Sequence, residues 1–254
     1  MRDPFHRPTP TREGHRDASD PHRRRWSREL AITIVGALVY FGLRVVVEGD
    51  RATAVANAER LLRIERWLGV DIEQTVQTWV LGNGVVRELG NLSYVWLHWP
   101  LLIAVLVTLF LRDHRRFVHL RRAMFISGTV GLALFALVPT APPRFMPGFV
   151  GTVGDDARRH YLTYPLSWTN QVAALPSFHA GWTLIACLAL AAVLGRGAAR
   201  AAVLVPAVLV VLSVVTTGNH YVLDTVLGTA IAVGAYVLTD PDRRARKRRP
   251  ESSI

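Results

Sequence analysis

Six separated apolar runs are the feature that most limits what this chain can fold into. They cover residues 30–47, 95–111, 123–138, 182–194, 201–215 and 221–238. A helix that spans a bilayer needs about 20 mainly apolar residues, and flanking Gly, Ser and Trp residues can complete the shorter runs. Half of the 254 residues are hydrophobic. The runs predict an all-α polytopic membrane protein, folded as a six-transmembrane-helix bundle.

The positive charge of the chain predicts its orientation. The formal net charge is +11, and Lys247 is the single lysine among the basic residues. Arginines cluster beside apolar runs at residues 23–25, 112–122 and 243–249. Because Arg and Lys stay on the cytoplasmic side of inserted helices, the clusters predict a multi-pass protein of the cell membrane with both termini cytoplasmic. The expected surroundings are the lipid bilayer; no nucleic acid is expected, and nothing indicates a protein partner.

The same patterns divide the chain into three parts. Residues 1–27 read as a disordered basic cytoplasmic tail, residues 28–239 as the membrane catalytic domain, and residues 240–254 as a second basic tail. Cys187 is the single cysteine and lies inside an apolar run. An internal disulfide is therefore excluded, and the fold must rest on helix packing.

An extra helix is predicted between the first two runs, at residues 56–68. Its apolar stripe consists of Leu61, Leu62, Ile64, Trp67 and Leu68. Arg and Glu side chains lie opposite this stripe, which is typical of a helix on the membrane surface. A short amphipathic helix packed on its own domain would show the same pattern, and the sequence indicates no role for the segment.

Three polar segments interrupt the apolar pattern. They are T-A-P-P-R-F at residues 140–145, L-P-S-F-H-A-G at 175–181 and G-N-H-Y-V-L-D at 218–224. They lie far apart in sequence, but the predicted topology brings all three to the outer face of the membrane. That convergence predicts an active site at the outer face.

His220 and Asp224 are the first candidate catalytic pair. Four residues apart at the start of a helix, their side chains lie on one face. The carboxylate can accept a hydrogen bond from one imidazole nitrogen and leave the other as a nucleophile or base. A purely structural histidine capped by an aspartate has the same spacing. Ionisable residues at membrane spans usually serve function, which favours the catalytic interpretation.

His179 and Arg144 supply the other groups that phosphoryl transfer requires. His179 follows Pro176 and Ser177, which could cap the fourth span and present free backbone N–H groups to an anion. Arg144 is a planar, permanently charged donor for phosphate oxygens. With His220, these residues provide a nucleophile, an acid for the leaving group and charge stabilisation.

No cofactor is required for this chemistry. A metal site is not expected either, because the two histidines lack companion Cys, Glu or further Asp ligands at a useful spacing.

These segments resemble the type 2 phosphatidic acid phosphatase and haloperoxidase superfamily, over about residues 138–228. Pro176, Ser177 and His179 match its P-S-x-H motif, and His220 and Asp224 match its H-x-x-x-D ending. The resemblance implies that His220 attacks phosphorus to form a phosphohistidine. It also implies that Asp224 orients His220 and that His179 protonates the leaving group.

The resemblance also implies a substrate-binding set. Arg144 matches the arginine of the first motif, and Ser177 and Asn219 lie within the second and third motifs. His98 joins this set as an ionisable residue inside the second apolar run. Tyr94, Trp99, Trp168 and Asn170 are further candidates for an acceptor pocket. For Trp99 and Trp168, the preferred interpretation is that they belong to the belt of aromatic residues at the membrane–water interface.

The chain departs from the full motif set at three positions. Leu137 stands where the family has a lysine, Phe145 where it has a proline, and Val214 where it has an arginine. Substitute cations are available at residues 158–160 (Arg-Arg-His), but solvated loop residues are the preferred interpretation of these three positions. The A-P-P-R and N-H-Y-x-x-D patterns resemble the branch that includes inositol phosphorylceramide synthase and sphingomyelin synthase.

The sequence therefore predicts a membrane lipid phosphatase or phosphotransferase that acts on a phospholipid or polyprenyl phosphate. Haloperoxidase activity is disfavoured because vanadate binding needs the missing cations. Water and an alcohol both remain open as the acceptor. The alternative from another class is a non-catalytic membrane scaffold that keeps the fold.

Overall fold

A computed structural model of the chain describes residues 21–153, 170–194 and 197–243, and within these ranges the regular structure is helical, without a β-strand. The α-helices are α1 (Pro21–Val46), α2 (Arg51–Leu68), α3 (Glu73–Leu81), α4 (Gly84–Leu92), α5 (His98–Arg112), α6 (His114–Leu137), α7 (Phe178–Val193), α8 (Ala198–Ala202), α9 (Val205–Thr216) and α10 (Val222–Thr239). A π-helix, Ser93–Leu97, joins α4 to α5, and a 3₁₀ turn, Pro143–Phe145, follows α6. The predicted all-α fold is confirmed.

Within the described ranges, five helical segments are long and apolar enough to cross a bilayer. They are Arg25–Val46, Gly84–Arg112, His114–Leu137, Ala198–Thr216 and Val222–Thr239. Helix α7 corresponds to the fourth predicted run and is also apolar, but it has only 16 residues. The membrane fold is therefore confirmed, and the count of six spans remains a prediction.

The boundaries of the first two spans differ from the predicted ones. Helix α1 begins at Pro21, ahead of the predicted domain start at residue 28. The second span begins at Gly84 rather than at residue 95, since α4 and the π-helix run into α5. Residues 1–20 and 244–254 lie outside the described residues, so the two tails stay predictions.

Helix α7 lies at the centre of the bundle, where it packs against α5, α6, α9 and α10. Its interior face carries small side chains such as Ala180, Ala186 and Ala189, all fully buried. Small residues let helix backbones approach closely in a membrane. Helix α1 lies at the edge and contacts α6.

Two glycines set the closest approach, between α7 and α10. A Cβ atom on Gly181 would lie 2.5 Å from the carbonyl oxygen of Gly228, and one on Gly228 would lie 2.2 Å from that of Ser177. Neither position has room for a methyl group. The backbone of the P-S-F-H segment is therefore seated directly on α10.

Replacing Gly228 with alanine is expected to lower the free energy of unfolding by about 1–3 kcal/mol and to displace the Ser177 turn. The matched control is Gly234→Ala on the same helix, where a new Cβ would meet nothing within 4 Å. The Gly234→Ala substitution should stabilise the helix by up to about 1 kcal/mol. Thermal unfolding in detergent measures both effects, and equal melting temperatures would contradict the close packing.

Helix α2 packs on its own domain and also presents apolar side chains outward. It buries Ala54, Ala58 and Glu65 against the bundle. In the predicted stripe, Leu61 and Leu62 pack on the core, whereas Trp67 is 83% exposed and Ile64 and Leu68 are also exposed. The helix begins at Arg51, earlier than the predicted residue 56.

Candidate active site

The three polar segments meet at one end of the bundle and are joined through their backbones. Arg144 N in the first segment donates to Gly218 O in the third at 2.9 Å, and Ser177 N in the second donates to Asp224 O in the third at 3.1 Å. Ala174 O, just before the second segment, accepts a hydrogen bond from His220 Nδ1 at 3.0 Å. The predicted convergence of the segments is therefore present in the fold.

His220 is held in one tautomer by its neighbours. Its Nδ1 lies 3.0 Å from Ala174 O and 3.3 Å from both carboxylate oxygens of Asp224. A carbonyl oxygen only accepts, so Nδ1 must carry the proton. In the neutral ring Nε2 is then unprotonated, with its lone pair available for attack.

His179 lies beside His220 in the first turn of α7. The two ring centroids are 6.0 Å apart. Tyr94 stacks on the His179 ring with a centroid distance of 4.6 Å and an interplanar angle of 13°. Among the described residues, its ring nitrogens have no hydrogen-bond partner. The imidazole is therefore positioned by ring contacts, and no described residue occupies its nitrogens.

His98 completes a row of three histidine rings. Its centroid lies 4.4 Å from that of His179. The Thr183 hydroxyl donates to the carbonyl oxygen of His179 at 2.6 Å, and His98 Nδ1 lies 2.7 Å from the same hydroxyl. Since the hydroxyl has one proton, His98 Nδ1 must be the donor to Thr183. The structure thus ties His98 to the turn that carries His179.

Ser177 occupies the N-cap position of α7, but the expectation that its hydroxyl caps the helix is wrong. Its N–H is bound to Asp224 O at 3.1 Å, which holds its backbone against α10. The Oγ atom is fully buried and has no partner within the described ranges. A buried hydroxyl without a partner costs free energy, so this oxygen is suited to a ligand.

Arg144 is joined to the third polar segment. Its backbone N–H donates to Gly218 O at 2.9 Å, and one guanidinium nitrogen donates to Asn219 Oδ1. A second contact reaches Gln171 Oε1 at 3.4 Å. Both side-chain acceptors are neutral amides. Burial lowers the pKa of Arg144 from its usual value, but the guanidinium stays charged at neutral pH.

The remaining candidates for an acceptor pocket or a substitute cation have fewer contacts with the site or lie outside the described residues. Trp99 packs edge-on against His98 with a centroid distance of 4.8 Å, and Asn170 donates to the carbonyl oxygen of Arg44 at 3.1 Å. Trp168 and residues 158–160 lie outside the described residues. In the part of the chain that the structure describes, no group of three or more His, Cys, Asp or Glu side chains is arranged to hold a metal ion.

Two buried glutamates, which the sequence does not single out, hold the start of α10. Glu65 Oε1 accepts from Leu223 N at 2.8 Å, and Glu73 Oε1 accepts from Val222 N at 2.7 Å. Tyr221 N donates to Asp224 Oδ2 at 3.1 Å. Three consecutive N–H groups are thus paired with carboxyl groups from α2, α3 and α10. This arrangement fixes the helix that carries His220 and Asp224.

The charge of Glu65 is disfavoured in this position. Burial raises its pKa from the usual 4.5 to about 8, the negative charges of Glu73 and Asp224 add to this, and the Leu223 hydrogen bond opposes it. The folded chain therefore binds this proton more tightly than the unfolded chain. The Glu65 contribution to stability is full below about pH 4.5 and is lost as the pH rises through about 8.

We therefore expect the free energy of unfolding to fall between pH 5 and pH 8, by on the order of 1–3 kcal/mol from this group. Glu65→Gln keeps an acceptor for Leu223 N and should remove that slope. Thermal unfolding across the pH range checks it, with Glu59→Gln on the exposed face of α2 as the matched control. Equal slopes in wild type and Glu65→Gln would contradict the shift.

Comparison with known proteins places these residues in a family. The model of one family, described as the PAP2 superfamily, matches residues 59–238. The matched range is more than half of the chain and includes all three polar segments. No curated protein and no solved structure matches the chain.

Proposed function

We infer the function from one premise, that the chain belongs to the PAP2 superfamily, whose members are generally phosphatase-type enzymes. We propose that it is an integral membrane lipid phosphatase or phosphotransferase acting through a phosphohistidine. The substrate class is a phospholipid or polyprenyl phosphate. The site lies at the outer face of the cell membrane, as the arginine clusters predict.

In the proposed first step, Nε2 of His220 attacks the phosphorus atom and forms an N–P bond. The P–O bond to the lipid breaks, and the leaving oxygen takes a proton from His179. The positive charge that develops on the His220 ring is stabilised by Asp224, 3.3 Å from Nδ1. Arg144 binds phosphoryl oxygens, and the unpartnered Ser177 hydroxyl donates to another.

In the second step, an acceptor oxygen attacks the phosphohistidine and releases Nε2 of His220. His179, now neutral, accepts the acceptor's proton and returns to its starting state. Water as the acceptor gives a phosphatase. An alcohol gives a head-group transferase of the inositol phosphorylceramide synthase type.

One observation carries this proposal: the proton on His220 Nδ1 is held by Ala174 O and Asp224 while a second imidazole lies 6.0 Å away, centroid to centroid. A histidine with a purely structural role would need only the hydrogen bonds from Nδ1. A nucleophile that works with a separate acid also needs the second imidazole nearby.

The proposal is tested by incubating purified protein with a panel of lipid phosphates, with and without inositol. We expect phosphate release or inositol-dependent transfer, and phosphate trapped on His220 after brief exposure, detected by mass spectrometry. Phosphate trapped on another residue would contradict the mechanism. The absence of turnover on every lipid would favour the non-catalytic scaffold.

A further inference from the structure

Arg44 is a half-buried arginine that comes to the site from the last turn of α1. Asn170 Nδ2 donates to its carbonyl oxygen at 3.1 Å, and its guanidinium carbon lies 5.6 Å from the ring centroid of Phe135. One turn earlier, the ring of Tyr40 lies 5.2 Å from that of Trp182 on α7. These contacts hold the end of α1 against the helix that carries His179.

The charge of Arg44 has no protein counter-charge in the described part of the chain. No carboxylate there lies within ion-pair distance of it, and its Nε is buried without a hydrogen-bond partner. Glu48, one turn later, accepts from the backbone N–H of Gln171 at 3.1 Å instead. A partly buried cation without a partner is costly near a membrane and usually marks a site for an anion.

Arg44 acts on the His179 side of the site. The ring of Phe135, over which its guanidinium lies, is 6.4 Å from the ring of Phe178, the residue before His179. Arg144 instead contacts Asn219, next to His220. The two arginines thus contact residues next to different histidines, Arg44 near His179 and Arg144 near His220.

The positions where the family carries other cations cannot supply a second one here. Leu137 is 78% exposed at the end of α6, and Val214 is fully buried in α9. Two positive charges are needed to balance a phosphate dianion. Because Arg144 supplies one, the second cation must come from elsewhere in the fold.

We propose that Arg44 is that cation, and that its guanidinium donates hydrogen bonds to a phosphoryl oxygen on the His179 side of the substrate. This role rests on the proposed function, because it assumes that a phosphate group enters between the histidines. The ligand chemistry is a phosphate dianion or monoester, whether free or attached to a lipid.

The test compares Arg44→Gln and Arg44→Lys with wild type, and uses Arg63→Gln on the exposed face of α2 as the charge-matched control. Inorganic phosphate binding is measured by isothermal titration, and KM and kcat are measured on a lipid phosphate. We expect Arg44→Gln to weaken phosphate binding and raise KM by roughly 10- to 100-fold. Arg44→Lys should recover part of the loss, since it restores the charge without the planar fork.

Unchanged phosphate affinity and KM in Arg44→Gln would overturn the proposal, as would a wild-type chain that binds no inorganic phosphate. If Arg44→Gln does not fold, Arg44→Lys decides: phosphate affinity below that of wild type would support the proposed guanidinium contact, and wild-type affinity would overturn it. A failure of the proposed function can be distinguished from a failure of the Arg44 site. Phosphate binding that depends on Arg44, in a protein that turns over no lipid phosphate, would support the site and contradict the catalysis.

Discussion

His220→Ala is expected to reduce turnover of a lipid phosphate by at least about 10³-fold, because the variant has no nucleophile to form the covalent intermediate. The loss should appear in kcat, while inorganic phosphate still binds through the two arginines. The replacement also leaves Ala174 O without its donor, so thermal unfolding must be measured beside activity. The measurements are phosphate release and the absence of phosphate trapped on the chain.

The matched control is His114→Ala. His114 lies at the start of α6, at the opposite end of the bundle from the polar segments. Turnover in this variant should equal that of wild type. Turnover that survives in His220→Ala would remove His220 from the mechanism, whatever the control shows.

Asp224→Asn is expected to reduce kcat by about 10²-fold, which is less than the roughly 10⁴-fold loss seen where a carboxylate alone fixes the tautomer of a catalytic histidine. The reason is that Ala174 O also accepts from Nδ1 of His220, at 3.0 Å. The proton therefore stays on Nδ1 in the variant. What is lost is the stabilisation of positive charge on the ring as the N–P bond forms.

The readout is the single-turnover rate of phosphohistidine formation, beside KM. A fall in rate with an unchanged KM supports this role. Thr225→Val serves as the control, because the Thr225 hydroxyl also contacts Asp224 Oδ1, at 3.3 Å, but does not contact His220. A loss near 10⁴-fold in Asp224→Asn would show that Ala174 does not hold the tautomer.

The apolar helices of the bundle could be predicted from the hydropathy of the sequence. The apolar runs coincide with the five described segments that are long and apolar enough to cross a bilayer, and with the shorter α7. The start of the second span was missed because Val85 and Leu89 are exposed on α4 while polar Asn91 is buried, where it binds Thr152. Polar residues turned inward make such a segment look like a loop.

The sequence predicts those site residues that lie close together in the chain, such as His220 and Asp224, which are four positions apart. Arg44 and the two glutamates were not found, because their roles depend on contacts distant in sequence. Glu65 looked like the solvated side of an amphipathic helix, yet it binds a backbone N–H group 158 positions later in the chain. Arg44 did carry a signal: it is an arginine near the predicted outer end of an apolar run, where the positive-inside rule disfavours it.

The carboxyl groups at the start of α10 have a consequence for the direction from which a substrate arrives. A helix normally attracts anions to its amino end, but here Glu65, Glu73 and Asp224 occupy those N–H groups. These N–H groups are therefore not available to an anion that approaches along the α10 axis. The N–H groups at the start of α7 have no side-chain cap, so we expect the lipid phosphate to enter from the α7 flank and its alcohol to depart on that flank.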